Sequence, residues 1–310
     1  MAGVVGGSDP SGRSTWPGFD GTPLHVRHWP AANPWGVVFL VHGIGEHSGR
    51  YDRTGRLLSA AGLDTWAADL RGHGLSEGKR VYVERWDDFL DDLDVRLAAA
   101  RRPGLPVVLF GHSMGALISL TYVCSGRPTP DLLVLSATPL NASVPGWQRV
   151  VAPMLSRVAP GMVIANPISG EQLSRDPEVG TAYFADPLVQ PRSTARLGAE
   201  LFGAMKRARG QLGNLAACGV PTLAIHGAAD TLVPTQFSEP LAAVPNLERR
   251  VLPGLRHESL NEPEGPQVVA DVVAWIRARV PAGGAPETGP TPEEAPRQPT
   301  AVAPEAHTPV

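Results

Sequence analysis

The sequence predicts an α/β fold in which a mostly parallel sheet is flanked by helices and carries one inserted helical segment. Two observations support this prediction. Apolar segments of strand length alternate with segments of helical periodicity along most of the 310 residues, as in parallel strands joined by crossover helices. The alternation stops after residue 136 and resumes near residue 218. The chain therefore divides into a core of residues 15–136 and 218–280 and an inserted cap of residues 137–217.

The N-terminal half of the core begins with a hairpin. Residues 16–20 and 24–29 flank Gly21-Thr22, and the second of these segments alternates apolar with polar side chains, which is typical of a strand at a sheet edge. Gly36–Val41 is apolar throughout and predicts a strand buried on both faces. Similar patterns then predict strands at 63–70, 106–110 and 131–136 and helices at 50–61, 86–100 and 117–124.

Beyond the cap, the regular alternation returns. The pattern predicts strands at 220–226 and 247–252 and helices at 236–244 and 266–279. The cap itself contains Pro, Gly and Asn breaks and short apolar helices such as 150–158. We therefore expect it to lie outside the main sheet.

Composition argues against several classes of partner and location. A net charge of −3 and a pI near 6.3 argue against a nucleic-acid partner. No run of about 18 apolar residues is present, so no membrane span is predicted and the expected location is cytoplasmic.

Residues 1–14 are rich in Gly and Ser and predict a flexible start. Residues 281–310 are rich in Pro, Ala, Glu and Thr and predict a disordered tail.

The sequence predicts no disulfide, metal or cofactor. Cys124 and Cys218 lie far apart and are expected to be buried free thiols. Helix 86–100 carries five carboxylates, mainly on the outer face of an amphipathic pattern, so solvated charge is favoured over a metal site. These residues are Asp87, Asp88, Asp91, Asp92 and Asp94.

The pentapeptide Gly111-His112-Ser113-Met114-Gly115 connects a predicted strand directly to a predicted helix. G-x-S-x-G in this context is typical of a nucleophile elbow, a sharp turn that exposes the serine hydroxyl. Gly111 and Gly115 are small because strand and helix cross closely there. Ser113 is therefore the candidate nucleophile, and an ordinary glycine-rich turn is the alternative.

A serine nucleophile needs a base and an acid that orients the base. With this elbow, the acid and the base follow the serine in chain order, on loops after later strands. Asp230 follows the strand 220–226, although an aspartate there could also cap the next helix. His257 follows the strand 247–252, whereas His226 ends a strand and is expected to be packed. The predicted triad is Ser113, Asp230 and His257.

An oxyanion hole needs two main-chain N–H groups near the serine. One is expected from Met114, directly after the nucleophile. The second is expected from Ile44 in the loop after the strand 36–41, with Gly43 or Gly45 as alternatives. His42 and His112 flank these turns and are expected to hold the loops by hydrogen bonds.

Several blocks of sequence resemble the monoacylglycerol lipases of the α/β-hydrolase superfamily. The resemblance covers about residues 16–280, and Ala116 departs from it where a third glycine is usual in the elbow. It implies an α/β-hydrolase fold, a Ser-Asp-His triad at the positions above, no metal, and a mobile cap over a pocket for one acyl chain and a glycerol head. The matching blocks are 42–51, 69–78, 111–115 and His257-Glu258-x-x-Asn261-Glu262, with actinobacterial features at 175–179 and 186–188.

These observations predict a serine esterase that cleaves monoacylglycerols or another single-chain lipid ester through an acyl-enzyme. Val151 and Leu155 are candidate substrate contacts on an apolar cap segment, which either lines an acyl tunnel and touches lipid when open or simply packs on the core. Glu262 is a further candidate for substrate binding. A lysophospholipase, a broad carboxylesterase, a cofactor-free haloperoxidase-like enzyme and a non-catalytic binding protein are the alternatives, and the oligomeric state stays open.

Overall fold

The computed structural model describes residues 7–8, 14–142 and 146–280, with only the backbone of residues 7–8 and 146–150. Within these residues the chain forms a nine-stranded sheet flanked by helices, which confirms the predicted fold class. Gly7 and Ser8, inside the segment predicted to be flexible, pair with Thr15 and Ser14. The rest of that segment before residue 14, and the tail 281–310, lie outside the described residues, so both predictions stay open there.

The helices and strands have the following bounds. The strands are β1 Gly7–Ser8, β2 Ser14–Pro17, β3 Pro23–Trp29, β4 Gly36–Val41, β5 Leu63–Ala68, β6 Val107–His112, β7 Leu132–Ser136, β8 Val163–Ala165, β9 Arg192–Thr194, β10 Thr222–Gly227 and β11 Leu247–Leu252. The α-helices are α1 Asp52–Ala60, α2 Trp86–Ala100, α3 Met114–Val123, α4 Gly146–Val158, α5 Gly170–Leu173, α6 Pro177–Ala185, α7 Ala195–Gly210, α8 Leu212–Cys218 and α9 Gly265–Arg277.

The strand order in the large sheet is β1-β2-β3-β5-β4-β6-β7-β10-β11. The first three strands pair antiparallel, and every pair from β5 to β11 is parallel. Val41 at the end of β4 lies beside Gly111, and His112 lies beside Ser136 at the end of β7. The carboxyl ends of these parallel strands therefore meet at one edge of the sheet, where ligands bind in open α/β folds.

The sheet is buried on both faces because successive side chains of a strand point to opposite sides. In β4, Phe39 and its alternate neighbours pack in one apolar cluster with Trp86, whereas Leu40 packs in a second cluster with Trp275. The continuous apolar pattern of residues 36–41 thus reflects two cores, as predicted.

Three elements differ from the sequence prediction. The segment expected as a helix at 236–244 is a 3-10 helix, Thr235–Ala243, that contains Pro240. The helix expected from residue 50 is preceded by a 3-10 turn, Ser48–Tyr51. The cap contains a small antiparallel sheet, β8 with β9, that its apolar pattern did not indicate because each strand has three residues. Part of the cap also belongs to the main core, since Leu197, Met205 and Leu215 pack in the cluster around Trp86.

Two predictions about polar side chains need correction. Asp88 and Asp92 of α2 are buried, not solvated, because Asp88 pairs with Arg85 and Asp92 pairs with Arg71. Cys124 is a buried free thiol as expected, but Cys218 is exposed at the end of α8.

Candidate active site

Ser113 occupies a strained turn between β6 and α3. Its backbone has φ 52° and ψ −118°, a conformation that L residues adopt only where the surrounding structure holds them. A Cβ at Gly111 would collide with the carbonyl oxygen of Gly115, and a Cβ at Gly115 would collide with that of Val41. The sharp, glycine-dependent turn inferred from the sequence is therefore present.

The close approach of α3 to β4 places the loop after β4 against the elbow. A Cβ built on Gly43 would lie 3.4 Å from Cβ of Ser113. His42 accepts a hydrogen bond from the Leu70 amide at 2.9 Å, and Nδ1 of His112 lies 3.1 Å from Oγ of Ser136. Both histidines thus hold loops, as predicted.

Asp230 and His257 come together at the same edge of the sheet. Nδ1 of His257 lies 2.8 Å from Oδ2 of Asp230, and the imidazole ring centroid lies 4.9 Å from that of His112, the neighbour of Ser113. The other carboxylate oxygen of Asp230 accepts hydrogen bonds from the amides of Leu232 and Val233 at 2.9 and 2.8 Å. This arrangement fixes the carboxylate and aligns one ring nitrogen with it.

The buried pair has complementary electrostatics. Burial alone would lower the pKa of His257, but the charge and hydrogen bond of Asp230 outweigh it and raise that pKa above its ordinary value. Burial alone would raise the pKa of Asp230. The charge of His257 and the hydrogen bonds that Asp230 accepts outweigh burial and hold this pKa below its usual range. His112, by contrast, has its pKa lowered to about 4 by burial and by the charge of His257. His112 is therefore neutral beside the elbow at neutral pH.

His226 is packed, as expected, but it also touches the site. Its Nε2 lies 2.7 Å from the carbonyl oxygen of Val233 and 3.2 Å from Oδ2 of Asp230. The ring is 1% exposed, so it serves as part of the wall behind the carboxylate.

The loop after β4 narrows the choice of oxyanion donors. The amide of Gly43 donates to Oε1 of Glu46 at 2.6 Å, so this N–H is already engaged. Ile44 follows it and packs partly buried against the core. Gly45 has φ 71°, and its carbonyl accepts a 2.7 Å hydrogen bond from the amide of Gln190 in the cap. These contacts agree with the prediction of Ile44 in preference to Gly43, and the oxyanion role of Ile44 stays a prediction.

A buried ion network supports the same loop, and it was not predicted. Arg50 donates to Glu46 at 2.5 Å and to both oxygens of Glu258 at 2.7 and 2.8 Å. Tyr51 also donates to Glu46, and the ring of Tyr183 from the cap covers the Arg50 guanidinium at 4.7 Å. The only sequence signals were the i, i+4 spacing of Glu46 and Arg50 and the position of Glu258 directly after His257. The network connects the loop after β4 with the loop that carries His257.

The candidate substrate contacts have different surroundings. Val151 and Leu155 are half-buried on α4. The side chain of Glu262 is fully buried, and protein groups donate to both of its carboxylate oxygens. The substrate-binding role expected for Glu262 does not fit this burial.

A cleft of about 420 Å³ lies between α4 and α7. The lining is mostly apolar with a cationic rim: Asn141, Ala142, Pro153, Ala199, Phe202, Gly203, Met205, Lys206 and Arg209. The apolar part of this lining suits an apolar group.

The fold and the elbow define an α/β hydrolase with a serine at the nucleophile position. The family model described as serine aminopeptidase, S33, matches residues 32–264, and the chain belongs to this family. A monoacylglycerol lipase of Mycolicibacterium smegmatis is 38% identical over 271 residues, which cover 84% of this chain and 94% of the relative. Human monoglyceride lipase is 34% identical over 221 residues, which cover 69% of this chain and 71% of the relative.

A solved structure gives the same result. The chain is similar to the monoacylglycerol lipase of Paleococcus ferrophilus, with a TM-score of 0.75 and 31% identity over 83% of this chain and 99% of that chain. The resemblance expected from the sequence blocks is therefore confirmed. Within the described residues, the helices are too short or too polar to cross a membrane.

Proposed function

We propose that this chain hydrolyses the ester bond of monoacylglycerols to a fatty acid and glycerol through an acyl-enzyme. The observation that carries the proposal is the Asp230–His257 hydrogen bond at the edge of the sheet where the strained elbow presents Ser113. The monoacylglycerol lipases among its relatives support the substrate class. Ser113, Asp230 and His257 act as the triad in this proposal.

The contact between Nδ1 of His257 and the Asp230 carboxylate supports one tautomer for the proposed base. His257 donates its Nδ1–H to Asp230, which leaves Nε2 as the basic nitrogen. Nε2 takes the proton of Ser113 as Oγ attacks the ester carbonyl, and the N–H groups of Met114 and Ile44 stabilise the oxyanion. His257 then protonates the departing glycerol oxygen. Water, deprotonated by His257, attacks the acyl-enzyme and releases the fatty acid and the serine hydroxyl.

The side of α4 that carries Val151 and Leu155 is proposed to contact the acyl chain. These two residues lie one helical turn apart and share a face of α4, whereas the cleft between α4 and α7 is lined from α4 by Pro153. The double variant Val151→Ser with Leu155→Ser is expected to lower kcat/KM for long-chain esters while leaving short-chain esters nearly unchanged. Equal losses for both would contradict this assignment.

The proposal includes a cytoplasmic enzyme that touches lipid surfaces through its cap. Exposed apolar side chains on and after α4 support the contact, because a lipid surface would remove them from water. They are Met154, Val158, Met162, Val163 and Ile164.

Labelling with a fluorophosphonate tests the mechanism. The parent chain should be labelled at Ser113, and Ser113→Ala should lose labelling and nearly all turnover while it still unfolds cooperatively. Rates on monoacylglycerols, diacylglycerols and lysophospholipids of matched chain length then test the substrate. Labelling at another residue would overturn the mechanism, and faster turnover of lysophospholipids would replace the proposed substrate.

A further inference from the structure

Glu262 lies at the contact between the cap and the loop that carries His257, which we call the seam. It forms hydrogen bonds on both sides of this contact. Its Oε1 accepts a 2.7 Å hydrogen bond from the amide of Arg256, the residue before His257. Its Oε2 accepts from the amide and Nε of Arg175 at 3.0 and 3.2 Å and from Oγ of Ser174 at 3.2 Å. One buried carboxylate thus holds two backbone segments that lie 82 positions apart.

Further hydrogen bonds run along the same seam. The amide of His257 donates to the carbonyl of Gln172 at 3.3 Å, and the amide of Glu258 donates to that of Leu173 at 2.8 Å. The Arg256 guanidinium donates to the carbonyl oxygens of Glu171 and Ser174 at 2.6 and 3.0 Å. The histidine loop is therefore bonded to residues 171–175, and Glu262 is the carboxylate that connects them.

We propose that Glu262 is a positioning residue that sets the backbone of Arg256 and so the orientation of His257. This inference rests on the proposed function, because it assigns His257 as the base. Misplacement of a catalytic group by about 1 Å can cost about 100-fold in rate. A fully buried carboxylate with four protein donors leaves its loop little freedom to move.

The sharpest variant is Glu262→Gln. An amide has one oxygen and one NH₂, so the NH₂ would face backbone N–H donors on one side of the seam. Glu264→Gln is the matched control, because Glu264 pairs with the same Arg175 but is exposed and does not bond Arg256. Each variant replaces one glutamate with glutamine, and the two positions are close neighbours in the chain.

The test measures turnover of p-nitrophenyl butyrate, a short soluble ester, together with the rate of fluorophosphonate labelling. Glu262→Gln is expected to lower kcat and the labelling rate by about 10- to 100-fold with KM within about twofold. The acidic limb of the kcat/KM profile of Glu262→Gln should move to lower pH, because Asp230 raises the pKa of a displaced His257 less. Glu264→Gln should match the parent in all three readouts.

The proposal would be overturned if Glu262→Gln lost thermal stability but kept the parental kcat per labelled site. Equal kinetics for Glu262→Gln and Glu264→Gln would also overturn it. If Glu262→Gln does not fold, Ser174→Ala replaces it and should lower kcat by about two- to fivefold; parental kcat would then overturn the proposal. A parent chain that neither labels at Ser113 nor turns over the ester would refute the proposed function instead, so the two failures are distinguishable.

Discussion

Two segments of the cap, both before residue 191, are held to the core in different ways. Residues 170–190, called the anchored half, bond both loops at the elbow: Gln190 to Gly45, Asp186 to His47 at 2.8 Å, and Leu173 to Glu258. Residues 146–165, called the exposed half, display apolar side chains, with Val158 74% and Met154 60% exposed. The difference supports the proposal that one inserted segment serves two purposes, in which the anchored half positions catalytic groups and the exposed half meets a lipid surface.

The largest effect is expected where the anchored half meets the loop after β4, called the oxyanion loop because Ile44 is its proposed oxyanion donor. Gly45→Ala places a Cβ against the carbonyl oxygen of Gln190 at a residue with φ 71°. The loop must shift and carry the Ile44 amide with it, so kcat should fall by about 100-fold, as for the loss of one oxyanion donor. Steady-state kinetics on a short ester measure the change.

Gly104→Ala is the control for Gly45→Ala. Gly104 has a similar φ of 76°, but a Cβ there meets no atom within 4 Å. It should lose some stability through backbone strain and keep parental kcat. If both alanine variants had equal kcat, the contact with Gln190 would have no role in positioning.

A smaller effect is expected from the hydrogen bond between Asp186 and His47. Asp186→Asn removes a half-buried charge from the anchored half, and kcat should fall by about tenfold because the neighbouring oxyanion loop loses support. Asp271→Asn, an exposed change on α9, is the charge-matched control. Parental kcat in Asp186→Asn would show that the remaining bonds hold the loop alone.

The exposed half should affect lipid binding and not chemistry. Met154→Ser with Val158→Ser is expected to weaken binding to phosphatidylcholine vesicles, measured by sedimentation, by about fivefold, since the two apolar side chains together contribute on the order of 1 kcal/mol when partly buried. Turnover of a soluble short ester should not change. Val251→Ser, which alters an exposed apolar residue on β11, should leave both readouts at the parental level.

The smallest effect of the exposed half is expected on pH dependence, which it should leave unchanged. Because the pKa of His257 is raised above 6.5 and the base must be neutral, kcat/KM should fall on acidification with a midpoint above pH 6.5. The exposed-half variant should keep this midpoint, whereas Asp230→Asn should lower it. A parental midpoint below pH 6.5 would contradict the strong pairing of His257 with Asp230.

Sequence patterns located most of the fold because the signals are local. The bounds of β4, α2 and β11 agree with the prediction residue for residue, since each is set by its own periodicity and a flanking break. Ser113, Asp230 and His257 could be selected because each follows a strand in the order that this elbow requires. Their assignment as a triad stays a prediction until labelling tests it.

The support of the site could not be predicted for a physical reason. The pairs Arg50–Glu258 and His47–Asp186 join positions 208 and 139 residues apart, so no local pattern marks them. Glu262 was selected from its motif, but its burial depends on how the cap docks. The exposure of Cys218 likewise depends on where α8 ends against the core.

The strained backbone of Ser113 lowers the stability of the folded chain. A non-glycine residue at φ 52° costs on the order of 1–3 kcal/mol, a cost that a glycine largely avoids. The inactive variant Ser113→Gly should therefore melt at a higher temperature than the parent in calorimetry. In the proposed mechanism, activity therefore requires a destabilised turn at the carboxyl-end edge of the sheet, and stabilising substitutions elsewhere in the core can offset its cost.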